Sequence, residues 1–126
     1  MIVGIGSDIV EHSLNEKLIA WDIEGNLAKR ILSKYELETY IAQPTQKYLA
    51  GRFAAKEAIL KCLGSGMHDG ISLKDIEILG LANGKPAIKL TGYLKQLAEQ
   101  MEINKWHISI THSPTSSIAF AIAEKI

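Results

Sequence analysis

At 126 residues the chain suits one compact domain, and 47% hydrophobic with 22% charged residues excludes both a disordered and a fibrous composition. Lys plus Arg (14) equals Asp plus Glu (14), so a broad electrostatic nucleic-acid binder is excluded and any anionic partner must meet a local patch. The single cysteine, Cys62, rules out an intrachain disulfide and a multi-cysteine zinc site, and it fits a reducing compartment.

Met1 to Asp8 has no basic segment leading an apolar one, and no run approaches the ~18 apolar residues of a membrane span. A soluble, cytoplasmic protein is expected. Ile2 to Ile9 reads as a β-branched strand broken by Gly4 and Gly6, ending near Asp8. Glu11 to about Trp21 is weakly helical, and Asn26 to Leu32 is a short helix. Ser33 with Glu36 forms a capping box that opens a further helix through about Ala42, before Pro44-Thr45 breaks it.

Gln46 to Leu63 is the strongest helical segment, rich in Ala, Leu, Lys and Glu, with Gly64 as its stop. Leu49, Phe53, Leu60 and Leu63 share one stripe of it, and Lys56 falls inside that stripe, where a cation is costly unless paired. Asp75 to Leu81 and Ala87 to Leu90 flank Asn83-Gly84-Lys85-Pro86, a hairpin signal. Tyr93 to about Met101 is helical, followed by a strand from Trp106 to His112, a turn at Ser113 to Ser116, and a strand from Ser117 to Ala123. In that last strand Ile118, Phe120 and Ile122 alternate with Ala119, Ala121 and Ala123, so it is expected to be covered on both faces. The pattern predicts an α+β fold, one domain over residues 1–126, with an antiparallel sheet packed against helices.

Gly4-Ile5-Gly6-Ser7-Asp8 lacks the third glycine and the βαβ unit of a dinucleotide-binding loop, so that reading is rejected. Two roles suit Asp8: a cap for the following segment, or a carboxylate offered to a metal. Glu57 and Lys61, spaced i and i+4, suit either a solvated ion pair or, with Lys56, two cations and a carboxylate around an anionic ligand. His12, His68 and His107 read as surface or satisfied core residues; His112, beside a Ser/Thr-rich turn, suits a functional role equally well.

Gly4-Ile5-Gly6-Ser7-Asp8-Ile9-Val10-Glu11 resembles the opening motif of the 4′-phosphopantetheinyl transferases, of the holo-acyl-carrier-protein synthase group. Gly51-Arg52-Phe53-Ala54-Ala55-Lys56-Glu57-Ala58 with Lys61 resembles their second signature. Leu63-Gly64-Ser65-Gly66, Asn83-Gly84-Lys85-Pro86 and Ser109-Ile110-Thr111-His112-Ser113 follow in the family's order, so the likeness spans nearly the whole chain. It implies transfer of phosphopantetheine from coenzyme A to a serine of apo-acyl carrier protein, releasing adenosine 3′,5′-bisphosphate, in fatty acid biosynthesis. It further implies a homotrimer. By the same carry-over, Asp8 and Glu57 hold Mg²⁺, while Glu57 and Lys61 are catalytic. Arg52, Lys56, Lys61, Ser65, Gly66, Lys85, Pro86 and His112 contact coenzyme A, although Lys56 and Arg52 also suit structural roles. Glu57 and a metal-bound water are both open as acceptor of the serine proton.

One segment departs from the family pattern. Where family members carry an early arginine on a basic helix that docks the carrier, His12-Ser13-Leu14-Asn15-Glu16 has no basic residue. Docking is therefore expected to use Lys17, Lys29 and Arg30. Two other functions compete with the transferase: a Mg-dependent phosphohydrolase that uses water in place of serine, and a catalytically silent assembly protein. Lys56 in its apolar stripe and two well-placed carboxylates argue against the second.

Overall fold

The computed structural model describes residues 1–12, 26–65, 70–80 and 84–126. Lys17, Gly66 and His68 lie outside the described residues, as does the expected weak helix beyond His12. Strand β1 (Ile2–Glu11) precedes three helices: α1 (Asn26–Ile31), α2 (Lys34–Ala42) and α3 (Gln46–Cys62). After a 3-10 turn at Leu73–Asp75 come β2 (Ile76–Gly80), β3 (Pro86–Leu90), α4 (Gly92–Gln100), β4 (Lys105–His112) and β5 (Ser116–Glu124).

The local signals are realised as hydrogen bonds. At the start of α2 the Ser33 amide donates to Glu36 Oε1 at 2.9 Å and the Glu36 amide to Ser33 Oγ at 3.3 Å. Thr45 caps α3 by accepting the Tyr48 amide at 3.1 Å, and Gly64, at φ 70°, ends it. Between β2 and β3, Gly84 takes φ 80°, the conformation its place in the hairpin demands.

The sheet is in fact two: β1-β5-β4, antiparallel throughout, and the hairpin β2-β3. The larger one packs a single face on α3. Gly4 pairs with Ala123, Gly6 with Ala121 and Asp8 with Ala119, and all three alanines are buried. A Cβ on Gly6 would come to 1.9 Å from the Ala58 carbonyl oxygen, and one on Gly4 to 2.2 Å from that of Cys62. Only bare backbone lets the strand lie this close to the helix.

The other face is open, which corrects the expectation for β5. Ile118, Phe120 and Ile122 pair with Ile9, Ser7 and Ile5 of β1. No helix among the described residues covers them: Ile5 is 67% exposed, Ile9 57% and Phe120 54%. Among the described residues α3 is the helix packed on this sheet, and it takes the alanine side.

Candidate active site

Because β1 lies against α3, the residues two apart along the strand reach the helix in turn: Gly4, Gly6, then Asp8. Lys61 of α3 answers this approach by donating to the Ser7 carbonyl at 2.7 Å and to Asp8 Oδ1 at 3.4 Å. Lys61 thus pairs with Asp8 across the two elements, and not as the i,i+4 partner of Glu57 that helix spacing alone suggests. Burial raises the Glu57 carboxyl above the usual carboxylate range, the Asp8 charge adds to that, and Lys61 opposes it. Glu57 therefore feels the charges of both Asp8 and Lys61, which themselves pair across the two elements.

Two carboxylates such as Asp8 and Glu57 fit Mg²⁺, which uses one or two protein carboxylates and takes its remaining oxygens from phosphates and water. Among the described residues no group of three or more His, Cys, Asp or Glu could hold a metal alone. Asp8 and Glu57 would hold the ion only with substrate oxygens completing the shell. Ser7, Asp8, Ile9, Lys61, Ile118 and Phe120 line a depression of about 260 Å³ that opens on the uncovered face of the sheet.

Lys56 is a correction to the coenzyme-contact set. It is fully buried, and its ammonium donates to Glu36 Oε1 at 2.5 Å, Ile31 O at 2.6 Å and Leu73 O at 3.0 Å. All three donors are spent on the fold, so none remains for a phosphate. Burial pulls its pKa below the usual lysine range, with Glu36 opposing. Glu36, also fully buried, uses its second oxygen to accept the Ile78 amide at 3.2 Å. The apolar stripe therefore hides an ion pair that ties α1, α2, α3 and β2 together.

Arg52 lies on the edge of this cluster. Its guanidinium sits 4.6 Å over the Tyr48 ring, and its Nε is 3.7 Å from Glu36 Oε2, with no hydrogen-bond partner of its own. Beyond it opens a cavity of about 320 Å³ lined by Arg52, Gly80, Gly84, Pro86, Ser109 and Ile110. Arg52 and Pro86 are thus brought to one cavity, with Lys85 exposed beside Pro86. Ser65, just past α3, donates its amide to Leu60 O at 2.9 Å.

His112, at the end of β4, bonds through Nδ1 to Ser117 Oγ at 2.6 Å. Its other side meets α3, where a Cβ on Gly51 would stand 2.9 Å from Cε1. Burial, then the charges of His12, Lys47 and Arg52, hold this imidazole below the usual histidine range. Sequence reasoning treated His12 as bland. It is buried, with Nε2 2.8 Å from the same Ser117 oxygen, and nothing local announces a pairing across 105 positions.

Ala28 and Ile31 of α1, with Leu32 just after it, are buried, while Lys29 and Arg30 are exposed. Arg30 and Lys74 border a cavity of about 470 Å³ whose wall includes Leu27, Ile31, Phe53 and Ile71. No helix among the described residues is long and apolar enough to cross a membrane.

Known proteins share both sequence and shape with this chain. A holo-[acyl-carrier-protein] synthase from Hydrogenovibrio crunogenus is 44% identical over 126 residues, 98% of each chain. The crystal structure of a holo-ACP-synthase from Plasmodium yoelii superposes with a TM-score of 0.86 at 35% identity, covering 100% of this chain and 97% of that one. A holo-(acyl-carrier-protein) synthase from Bacillus anthracis, solved in complex with CoA (3′,5′-ADP), gives 0.81 at 32% identity, covering 100% and 99%. Residues 4–123, from the glycines of β1 to the last alanine of β5, match the sequence pattern of one family, and the chain belongs to the 4′-phosphopantetheinyl transferase superfamily.

Proposed function

We propose that this chain transfers 4′-phosphopantetheine from coenzyme A to a serine hydroxyl of apo-acyl carrier protein, releasing adenosine 3′,5′-bisphosphate, in the cytoplasm and for fatty acid biosynthesis. The observation that carries the reading is the meeting of Asp8, Glu57 and Lys61 where β1 touches α3. The serine oxygen forms a bond to the phosphorus that bears pantetheine, and the bond from that phosphorus to the bridging oxygen breaks. Such a displacement asks the protein for positioning and for charge, with little covalent work.

Lys61, anchored on the Ser7 carbonyl, stands where it neutralises phosphate oxygens. Glu57, its carboxyl raised by burial and by Asp8, is the acceptor that this chain's own residues offer the serine proton. Mg²⁺ held by Asp8 and Glu57 would supply charge for the diphosphate. Arg52, Ser65, Lys85, Pro86 and His112 serve as coenzyme contacts, Gly66 keeps what the family likeness implies for it, and Lys17 keeps the docking role expected of a cation near the missing arginine.

The carrier, an acidic protein, docks near Lys29 and Arg30, where exposed cations border an apolar hollow. The open sheet face supports a homotrimer: Ile5, Ile9 and Phe120 stay exposed beside the Asp8–Lys61 depression, so a second copy seated there would complete each site. Mass spectrometry of apo-carrier incubated with the protein, coenzyme A and Mg²⁺ tests the reaction through one phosphopantetheine adduct on one serine. Coenzyme A cleaved with an unmodified carrier refutes it. Light scattering on the eluting protein tests the trimer, which an active monomer refutes.

A further inference from the structure

The Ser117 hydroxyl sits between two imidazoles that arrive from opposite ends of the chain. His12 Nε2 lies 2.8 Å from Oγ and His112 Nδ1 2.6 Å from it, with ring centroids 6.5 Å apart. Ser117 is fully buried and His12 is 4% exposed, its own amide held by Thr115 O at 2.8 Å. Ser117, which holds His112, and His12, which holds Ser117, are thus both closed to solvent, one on β5 and the other at the end of β1.

A hydroxyl has one hydrogen to give and two lone pairs to receive. It donates to one imidazole, and the other must donate to it. If both rings donated, the hydroxyl hydrogen would be stranded in a dry site, at the full penalty of an unmade bond. Only one order of protons therefore allows a charged His112. Its Nδ1–H donates to Ser117, Ser117 donates to His12 Nε2, and His12 stays neutral with its proton on Nδ1.

We propose that Ser117 and His12 are positioning residues for His112, a hydrogen-bond relay that lets His112 charge only while His12 remains neutral. The relay leaves Nε2 of His112 turned toward α3, 3.5 Å from where a Cβ on Gly51 would be. The charged and titratable groups facing the ring are Lys47 and Arg52 from α3 and His12 from the end of β1. Burial, with the permanent positive charges of Lys47 and Arg52, holds the ring below the usual histidine range in the free chain. An anion entering among them reverses the balance, so a phosphate-bearing ligand binds with uptake of a proton at His112. Its affinity rises as pH falls from the bound-state pKa toward the lower, free-state one. The ligand half of this proposal rests on His112 being a coenzyme contact; the relay does not.

Side-chain proton–nitrogen NMR of the whole chain across pH 4.5 to 8 (about the histidine range) tests the relay without any ligand. His12 is expected to stay uncharged throughout the range in which His112 titrates. Ser117→Ala should shift the His112 midpoint and let the two rings titrate independently. If that variant fails to fold, His12→Gln and His12→Leu make the same test, because the amide still accepts or donates at the Nε2 position and the leucine does neither. His12→Gln should behave like the parent and His12→Leu should not. Two rings that titrate independently in the parent, or a His112 midpoint unmoved by Ser117→Ala and by His12→Leu, overturn the proposal. In steady-state kinetics Ser117→Ala and His12→Leu should raise KM for coenzyme A about tenfold with kcat nearly constant, and His12→Gln should not. An altered NMR titration with unaltered KM upholds the relay and removes His112 from the coenzyme site.

Discussion

Lys56 and Lys61 stand on the same helix, each against a carboxylate from another element, and they do opposite work. Lys56 and Glu36 are sealed at 0% exposure on both sides, with Nζ and Oε1 2.5 Å apart. Lys61 is 53% exposed and meets Asp8, itself 21% exposed, at a looser 3.4 Å. Five residues turn the helix through about 500°, which leaves the two ammoniums roughly 140° apart around its axis. One side looks into the packed interior, where every donor must be satisfied by protein. The other looks to the edge of the sheet, where a half-satisfied ammonium and two carboxylates are available to a ligand. What a charge does is decided here by the helix face that carries it, and Glu57 falls on the open side.

Predictions test that contrast. Asp8→Ala or Glu57→Ala should cut transfer at least about a thousandfold while thermal melts barely move, since the open side holds the charge of the reaction. A chelator should do the same to the parent protein, and full turnover in its presence would break the metal assignment. Lys56→Ala should instead lower folding stability by roughly 3–5 kcal/mol, because it strands the Glu36 carboxylate in the interior. Denaturant titration reads that loss, and activity per folded molecule should hold. A normal melt with dead enzyme would move Lys56 back to the active site. Lys61→Ala should slow transfer about a hundredfold but change stability by less than about 1 kcal/mol, as kinetics beside a melt would show. The smallest effect belongs to Lys29→Glu with Arg30→Glu, which should raise KM for the carrier several-fold and flatten its salt dependence. An unchanged KM at low salt would place docking elsewhere.

Much of this was legible in residues close together in the chain. Ser33 with Glu36, Gly64 after the long helix and Gly84 in the hairpin each act over a few positions, and each produces the expected turn or cap, while Asn83 lies outside the described residues. Asp8, Glu57 and Lys61 stood out through residue type and resemblance. The pairing of Lys61 was not: helix spacing points to Glu57, and only the approach of β1 substitutes Asp8. Lys56 stood out as a cation in an apolar stripe, but its reason, Glu36 twenty positions away on a packed helix, is a tertiary fact. The glycines of β1 lack the pattern of a dinucleotide-binding loop, and their use, close packing against α3, is a tertiary fact. The last strand misled because alternation of isoleucine with alanine says both faces are apolar and cannot say that one of them is left bare.

The strand order β1-β5-β4 has a consequence in time. Asp8 emerges early in synthesis, yet the strand it pairs with is β5, the last element of the chain. A ribosome feeding out residues one after another can deliver α3, with Glu57 and Lys61, long before the partner that seats the first carboxylate. The Asp8–Glu57 pair is therefore assembled by the closure of β1 on β5, a pairing of high contact order that forms slowly once its partner exists. Until β5 is in place Asp8 lacks its partner in the sheet, and the two carboxylates come together in the same step that closes it.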